Sequence, residues 1–155
     1  NWDDLNWERS YDGMRAYSQS KIAFGFFGLE LDRRSIANGW GITSNLSHPG
    51  VAPTNLLAAR PEIGRDGETT ARKVIRALSE RGIFAGTVAT AQLPALLAAT
   101  SPDSARGKLF GPRGIGHTNG APAEQKLYSR IRSIDDAQRM WRASEELTGA
   151  QFPTD

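Results

Sequence analysis

The stretch AYSQSK (residues 16–21) places a tyrosine and a lysine four positions apart, with only small or polar residues between them. Apolar residues recur at helical spacing after it, and the pattern predicts a helix over residues 14–34. Residues four apart share one face of a helix, so Tyr17 and Lys21 can project into one site. A lysine ammonium beside a phenol favours the phenolate, which suits a tyrosine for proton transfer. A surface pair without function has the same spacing, so the motif alone is weak.

A second motif stands at the end of a predicted strand. The segment WGITSNLSHPG (residues 40–50) alternates in polarity and predicts a short strand that Pro49 and Gly50 end. In open α/β sheets, ligands bind at the carboxyl ends of strands. Pro49 and Gly50 would bring bare backbone close to a bound ring, and Thr54 would offer a hydroxyl and an N–H group to a phosphate or an amide.

The rest of the chain predicts further helices over residues 68–81, 86–100 and 133–149. Pro94 should kink the second of these or mark a restart. Only one more strand is predicted, in GKLFGP (residues 107–112), where Gly111 and Pro112 are expected to end it, and residues 112–126 are predicted to be irregular. Two separate strands make a poor sheet, because independent stability usually needs three or more. The elements therefore predict half of a larger α/β domain.

Composition excludes several classes of protein. The 155 residues contain no cysteine and carry a net charge of only +2, which rules out thiolate chemistry and gives no dense basic stripe for nucleic acid. No apolar run is long enough to span a bilayer, so a cytoplasmic protein is the default expectation. His117 has no third ligand nearby, so no metal site is expected, and His48 is interpreted as a structural or packing residue.

The two motifs in this order resemble the short-chain dehydrogenase/reductase family. YSQSK at 17–21 and SHPGVAPT at 47–54 carry the resemblance, together with LPALLAATSPDSARGKLFGPRG at 93–114. MWRASEELTG at 140–149 is similar to the last helix of the retinol-dehydrogenase-like branch, which includes protochlorophyllide and WW-domain oxidoreductases. The resemblance implies an NAD(P)-dependent enzyme that interconverts an alcohol and a carbonyl on an apolar small molecule.

The resemblance also implies a role for each matching residue. Tyr17 would be the general acid/base, and Lys21 would bind the nicotinamide ribose hydroxyls. The nicotinamide would be lined by Pro49, Gly50 and Val51, while Thr54 would lie near the carboxamide or the pyrophosphate. A lid with apolar side chains would contact the substrate through Leu56, Leu57 and Ile63.

The front-half motifs of that family are absent from this sequence: the glycine-rich pyrophosphate turn, the Asn-Asn-Ala-Gly segment and the catalytic serine. The expectation is that residues 1–155 are the C-terminal half of a single Rossmann-type, doubly wound parallel-sheet domain. Residues after the missing second strand choose between NAD and NADP, so that choice stays open. The alternative is a non-catalytic truncated relative that acts as an interaction module. A homo-oligomer could form through the Tyr17/Lys21 helix, where AFGFFG (residues 23–28) combines Phe with Gly.

Overall fold

A computed structural model describes residues 1–52, 74, 77, 86–102 and 105–153. The described residues form two compact units, which we name the helical unit (Asn1–Asn45 with Leu127–Asp155) and the sheet unit (Leu46–Lys126). The described helices and strands are α1 (Gly13–Asn38), β1 (Leu46–Ser47), α2 (Val88–Ala91), α3 (Leu93–Thr100), β2 (Leu109–Pro112), β3 (Pro122–Gln125) and α4 (Ile134–Thr148). Val74 and Ala77 are helical, and the rest of the helix predicted over 68–81 lies outside the described residues.

Both long helices of the helical unit begin and end at capping residues. The Asp12 side chain accepts a hydrogen bond from the Arg15 N–H at the start of α1. At the start of α4, the Ser133 side chain accepts one from the Asp136 N–H. Gly39 and Gly149 close the two helices in left-handed conformations, with φ of 67° and 69°. These local signals explain why the sequence predicted both helices close to their observed bounds.

An aromatic cluster joins α1 to α4 within this unit. Trp141 is only 1% exposed and stacks on Phe27 with ring centroids 5.0 Å apart. Gly25 permits a close approach, because a Cβ there would lie 3.1 Å from Ile131 Cγ2. Ile131 closes the 3₁₀ turn Ser129–Ile131, so this turn lies directly against α1.

A buried carboxylate stabilises the second half of α1. Glu30 is 1% exposed and accepts two hydrogen bonds of 2.7 Å from Arg33 and one of 2.8 Å from Arg34. Burial alone would raise the pKa of Glu30, but the hydrogen bonds and charges of the two arginines outweigh it and hold the pKa below its ordinary 4.5.

Glu30→Gln is expected to lower the free energy of unfolding of the helical unit by about 1–3 kcal/mol at neutral pH. The depressed pKa makes the contribution of Glu30 complete above the ordinary carboxyl pKa, and it is lost as the pH falls through the folded value. The variant should therefore lose less stability than the wild type on acidification. All four tryptophans lie in this unit, so tryptophan fluorescence during urea unfolding measures it. Glu146→Gln, at an exposed position of α4, is the matched control, and an equal loss there would contradict the assignment.

The sheet unit contains a mixed sheet in the order β1-β2-β3. β1 runs parallel to β2, with Leu46 opposite Leu109, and β2 runs antiparallel to β3, with Leu109 opposite Gln125. All four residues of β2 are buried, and α3 packs against this sheet. β2 is therefore the central strand of the described sheet.

Three sequence expectations for this region were wrong in detail. The strand predicted over residues 42–48 is only Leu46–Ser47, because the N–H groups of Ile42 and Ser44 donate instead to side chains of α1. Gly111–Pro112 was predicted to stop the next strand, yet both residues lie within β2. Residues 112–126 were predicted to be irregular, but they contain β3. No local sequence pattern predicts that β3 pairs with β2.

The predicted helix over 86–100 divides as Pro94 suggested. α2 ends at Ala91 and α3 starts at Leu93, so Pro94 occupies the first turn, where its missing N–H costs nothing. Within the described part of the chain, no helix combines the length and the apolarity that crossing a bilayer requires.

Candidate functional site

The structure brings the predicted tyrosine and lysine together on the first turns of α1. The Lys21 Nζ atom lies 5.2 Å from the centroid of the Tyr17 ring. Tyr17 is 47% exposed, so its phenol is accessible to a small molecule. The intervening Ser20 donates a hydrogen bond of 2.8 Å to the Tyr17 carbonyl and contributes to the local order. An ammonium beside an accessible phenol is an arrangement that suits acid/base chemistry at the tyrosine.

The segment before α1 is ordered by its own hydrogen bonds and is tied to the same helix. The Asp4 carboxylate accepts from the backbone N–H groups of Glu8 and Arg9, at 2.8 and 3.1 Å. Desolvation would raise the pKa of Asp4, but these N–H donors and the Arg9 charge together lower it. The Gln19 amide nitrogen donates a hydrogen bond of 2.9 Å to the Leu5 carbonyl. The turns that precede Tyr17 therefore have a defined path.

An open cavity of about 780 Å³ lies between this N-terminal segment, α1 and α4 within the helical unit. Its lining is mostly apolar and includes Trp2, Ile22, Phe26, Met140 and Leu147, together with Ser18 and Gln19, the two residues that follow Tyr17. Two buried polar atoms of lining residues have no hydrogen-bond partner: the indole nitrogen of Trp7 and the amide oxygen of Gln19. The sequence analysis singled out neither residue, because neither belongs to a recognisable pattern of its own.

The Pro49–Gly50–Val51 turn follows β1 in the sheet unit. Gly50 has φ of 73°, and a Cβ there would lie 2.4 Å from the Thr118 carbonyl oxygen. The Val51 N–H donates to that same oxygen at 2.8 Å, and the Val51 carbonyl accepts from the Gly86 N–H at 2.8 Å. The two backbone hydrogen bonds of Val51 hold the turn in place. Only glycine fits at position 50, because φ is positive there and the Thr118 carbonyl oxygen occupies the Cβ position.

Several predicted site residues cannot be placed. Thr54 and the predicted lid residues Leu56, Leu57 and Ile63 lie outside the described residues. Tyr17 and Lys21 belong to the helical unit, whereas the Pro49–Val51 turn belongs to the sheet unit. The site is therefore described as two separate parts, the acid/base pair and the glycine turn.

Comparison with known proteins shows which proteins the chain resembles. No family model matches the chain. The chain is 32% identical to retinol dehydrogenase 13 of Homo sapiens over 154 residues, which cover 99% of the chain and 42% of that protein. It is 31% identical to retinol dehydrogenase 14 of Mus musculus, over 96% of the chain and 40% of that protein. It is also 43% identical to the polyprenol dehydrogenase of Mus musculus, over 34% of the chain and 16% of that protein.

A solved structure shares the fold over nearly the whole chain. The crystal structure of an uncharacterized protein from Mycobacterium Paratuberculosis superposes with a TM-score of 0.67 and 27% identity, over 99% of the chain and 46% of that structure. The predicted resemblance is confirmed: the chain is homologous to short-chain dehydrogenase/reductases. The relatives that match it are retinol dehydrogenases and a polyprenol dehydrogenase, and the chain corresponds to their C-terminal part. The predicted α/β class is confirmed as well, by the helices and the mixed sheet. The chain spans about two fifths of the length of the two retinol dehydrogenases that it matches along nearly all of its own length.

Proposed function

We propose that this chain is the catalytic part of an NAD(P)-dependent oxidoreductase that interconverts an alcohol and a carbonyl on an apolar small molecule. The observation that carries the proposal is the Lys21 ammonium 5.2 Å from the ring of an accessible Tyr17. The relatives support the reaction class, because their names describe dehydrogenases of retinol and of polyprenol. We further propose that the chain forms the C-terminal half of a single Rossmann domain, whose other half binds the rest of the dinucleotide.

Tyr17 is the proton donor and acceptor in this proposal. When an alcohol is oxidised, the phenolate oxygen takes the hydroxyl proton; when a carbonyl is reduced, the phenol gives a proton to the carbonyl oxygen. Lys21 holds its positive charge 5.2 Å from the centroid of the Tyr17 ring. It can also donate hydrogen bonds to ribose hydroxyls, because an ammonium carries three donors.

The turn after β1 fits the nicotinamide end of the cofactor, which supplies the hydride when it is bound. Gly50 gives the turn its positive φ, and the space where its Cβ would lie is occupied by the Thr118 carbonyl oxygen and Pro112 Cγ. The Val51 carbonyl already accepts one hydrogen bond, from Gly86, and a carbonyl oxygen has a second lone pair for a carboxamide N–H. The Val51 N–H is bonded to the Thr118 carbonyl, so it would have to exchange that partner to bind the carboxamide oxygen.

Lys21→Met is expected to weaken binding of NADH or NADPH to the native, full-length protein by about 10- to 100-fold, because it removes a charged donor. Titration of each cofactor, followed by nicotinamide fluorescence, measures the change and shows which cofactor is preferred. Lys126→Met is the matched control, since Lys126 is exposed and lies outside the motif. Equal affinity of wild type and Lys21→Met would contradict the role of Lys21.

A second candidate function is an interaction module, and one feature of α1 favours it. Phe24, three positions after Lys21 on the face that Tyr17 and Lys21 occupy, is 71% exposed. Such a face suits contact with another copy of the chain or with a partner protein. A native protein that binds neither NADH nor NADPH, yet associates through Phe24, would favour this second function over the first.

A further inference from the structure

One hydrogen-bonded chain of side chains crosses the described sheet and ends on the glycine turn. The Gly50 N–H donates to His48 Nδ1 at 3.3 Å, and His48 Nε2 lies 3.0 Å from the Gln125 amide oxygen. The Gln125 amide nitrogen then donates to the Pro112 carbonyl at 2.9 Å. His48 follows β1, Pro112 ends β2 and Gln125 ends β3, so all three strands contribute. We name this set the His48 relay.

The proton positions in the His48 relay follow from its two ends. The Pro112 carbonyl can only accept, so the nitrogen of the Gln125 amide must face it and the oxygen must face His48. The Gly50 N–H can only donate, so His48 Nδ1 must carry no proton. His48 therefore carries its ring proton on Nε2, which donates to Gln125. Each hydrogen bond in the relay supports the same assignment.

Gly111 in the central strand β2 leaves space for the His48 and Gln125 side chains of the relay. A Cβ at Gly111 would lie 2.1 Å from His48 Nε2 and 2.6 Å from the Gln125 amide nitrogen. Any larger residue in the middle of β2 would displace both side chains, because Gly111 is buried. The glycine that looked like a strand stop is thus the position where the two side chains meet.

We propose that His48 is a positioning residue: as the Nε2-protonated tautomer, oriented by Gln125, it holds the Gly50 N–H and sets the turn that receives the nicotinamide. The last clause rests on the proposed function, whereas the hold on Gly50 does not. A side-chain acceptor bonded to the N–H two residues later is also the geometry of an Asx turn. Asparagine is therefore the conservative substitution, since it can keep the bond to Gly50 while losing the one to Gln125.

The first test needs no cofactor. Long-range ¹H–¹⁵N spectra of the native protein should show His48 protonated on Nε2 and not on Nδ1, with His117 as the second histidine for comparison. Amide hydrogen exchange at Gly50 should accelerate by about tenfold in His48→Leu, less in Gln125→Leu, and least in His48→Asn. Glu124 is an exposed neighbour of Gln125, and Glu124→Gln should leave the amide exchange rate at Gly50 unchanged. A proton on Nδ1, or unchanged exchange at Gly50 in His48→Leu, would overturn the hold on Gly50.

The second test separates positioning from chemistry. His48→Leu should raise the Kd for NADH or NADPH by about tenfold, with partial rescue in His48→Asn, while turnover at saturating cofactor stays within about threefold of wild type. Wild-type affinity in His48→Leu would overturn the link to the cofactor. A wild-type protein that binds neither cofactor would instead refute the proposed function, and the exchange at Gly50 would still decide the role of His48.

Discussion

Tyr17→Phe is expected to lower turnover of the native enzyme by about 10²–10⁴-fold, the usual contribution of a positioned general acid or base. The substitution removes only the phenol oxygen, and the ring that faces Lys21 remains. Cofactor affinity should therefore stay close to that of the wild type. Steady-state kinetics with an apolar alcohol or aldehyde, together with a cofactor titration, measure both quantities.

Tyr128→Phe is the matched control for this experiment. Tyr128 is 49% exposed and Tyr17 47%, so the two substitutions remove a hydroxyl from similarly accessible rings. Tyr128 lies outside the Tyr–Lys motif, and its variant should keep turnover near wild type. Near-normal turnover of Tyr17→Phe would contradict the acid/base role, while loss of cofactor binding would indicate that Tyr17 acts through binding.

Gly50→Ala is expected to lower the free energy of unfolding of the sheet unit by about 2–5 kcal/mol. One part, about 1–2 kcal/mol, is the cost of a side chain at positive φ, since Gly50 has φ of 73°. The larger part is overlap, because the new Cβ would lie 2.4 Å from the Thr118 carbonyl oxygen and 2.7 Å from Pro112 Cγ. Urea unfolding followed by far-ultraviolet circular dichroism measures the loss.

Gly116→Ala separates these two contributions within the same unit. Gly116 has φ of 64°, but the nearest heavy atom to its Cβ position is Thr118 Cγ2 at 3.8 Å, an ordinary contact. Only the conformational cost of about 1–2 kcal/mol is expected there. Equal losses at the two glycines would show that the turn relaxes around a methyl group. The glycine turn would then be no rigid receptor for a ring.

Sequence reasoning succeeded where a signal acts over a few residues. Ser133 begins α4, Gly39 and Gly149 end the two long helices, and each of these contacts spans no more than five residues. Pro94 correctly predicted that a new helix starts near it, because proline is tolerated only in the first turn of a helix. The spacing of Tyr17 and Lys21 needed only the period of a helix to bring the two side chains together.

It failed where distant segments decide the conformation. Residues 42–45 alternate like a strand, but the Ile42 N–H donates to the Ser35 hydroxyl and the Ser44 N–H to the Asp32 carboxylate, both on α1. β3 forms because β2 offers it an antiparallel partner, and its own residues carry little strand propensity. His48 was interpreted as structural, and its contacts agree, yet no sequence pattern links it to Gln125, 77 positions away.

The sequence by itself determined the helix that carries Tyr17 and Lys21, the caps of the long helices and the glycine that the turn requires, because each depends on local backbone geometry. Only the tertiary structure decided the partner of Gly25, the third strand, the gap at Gly111 and the route from Gly50 to Gln125. Each of those features depends on contacts between residues that are far apart in the sequence, and such contacts form only when the chain folds and packs.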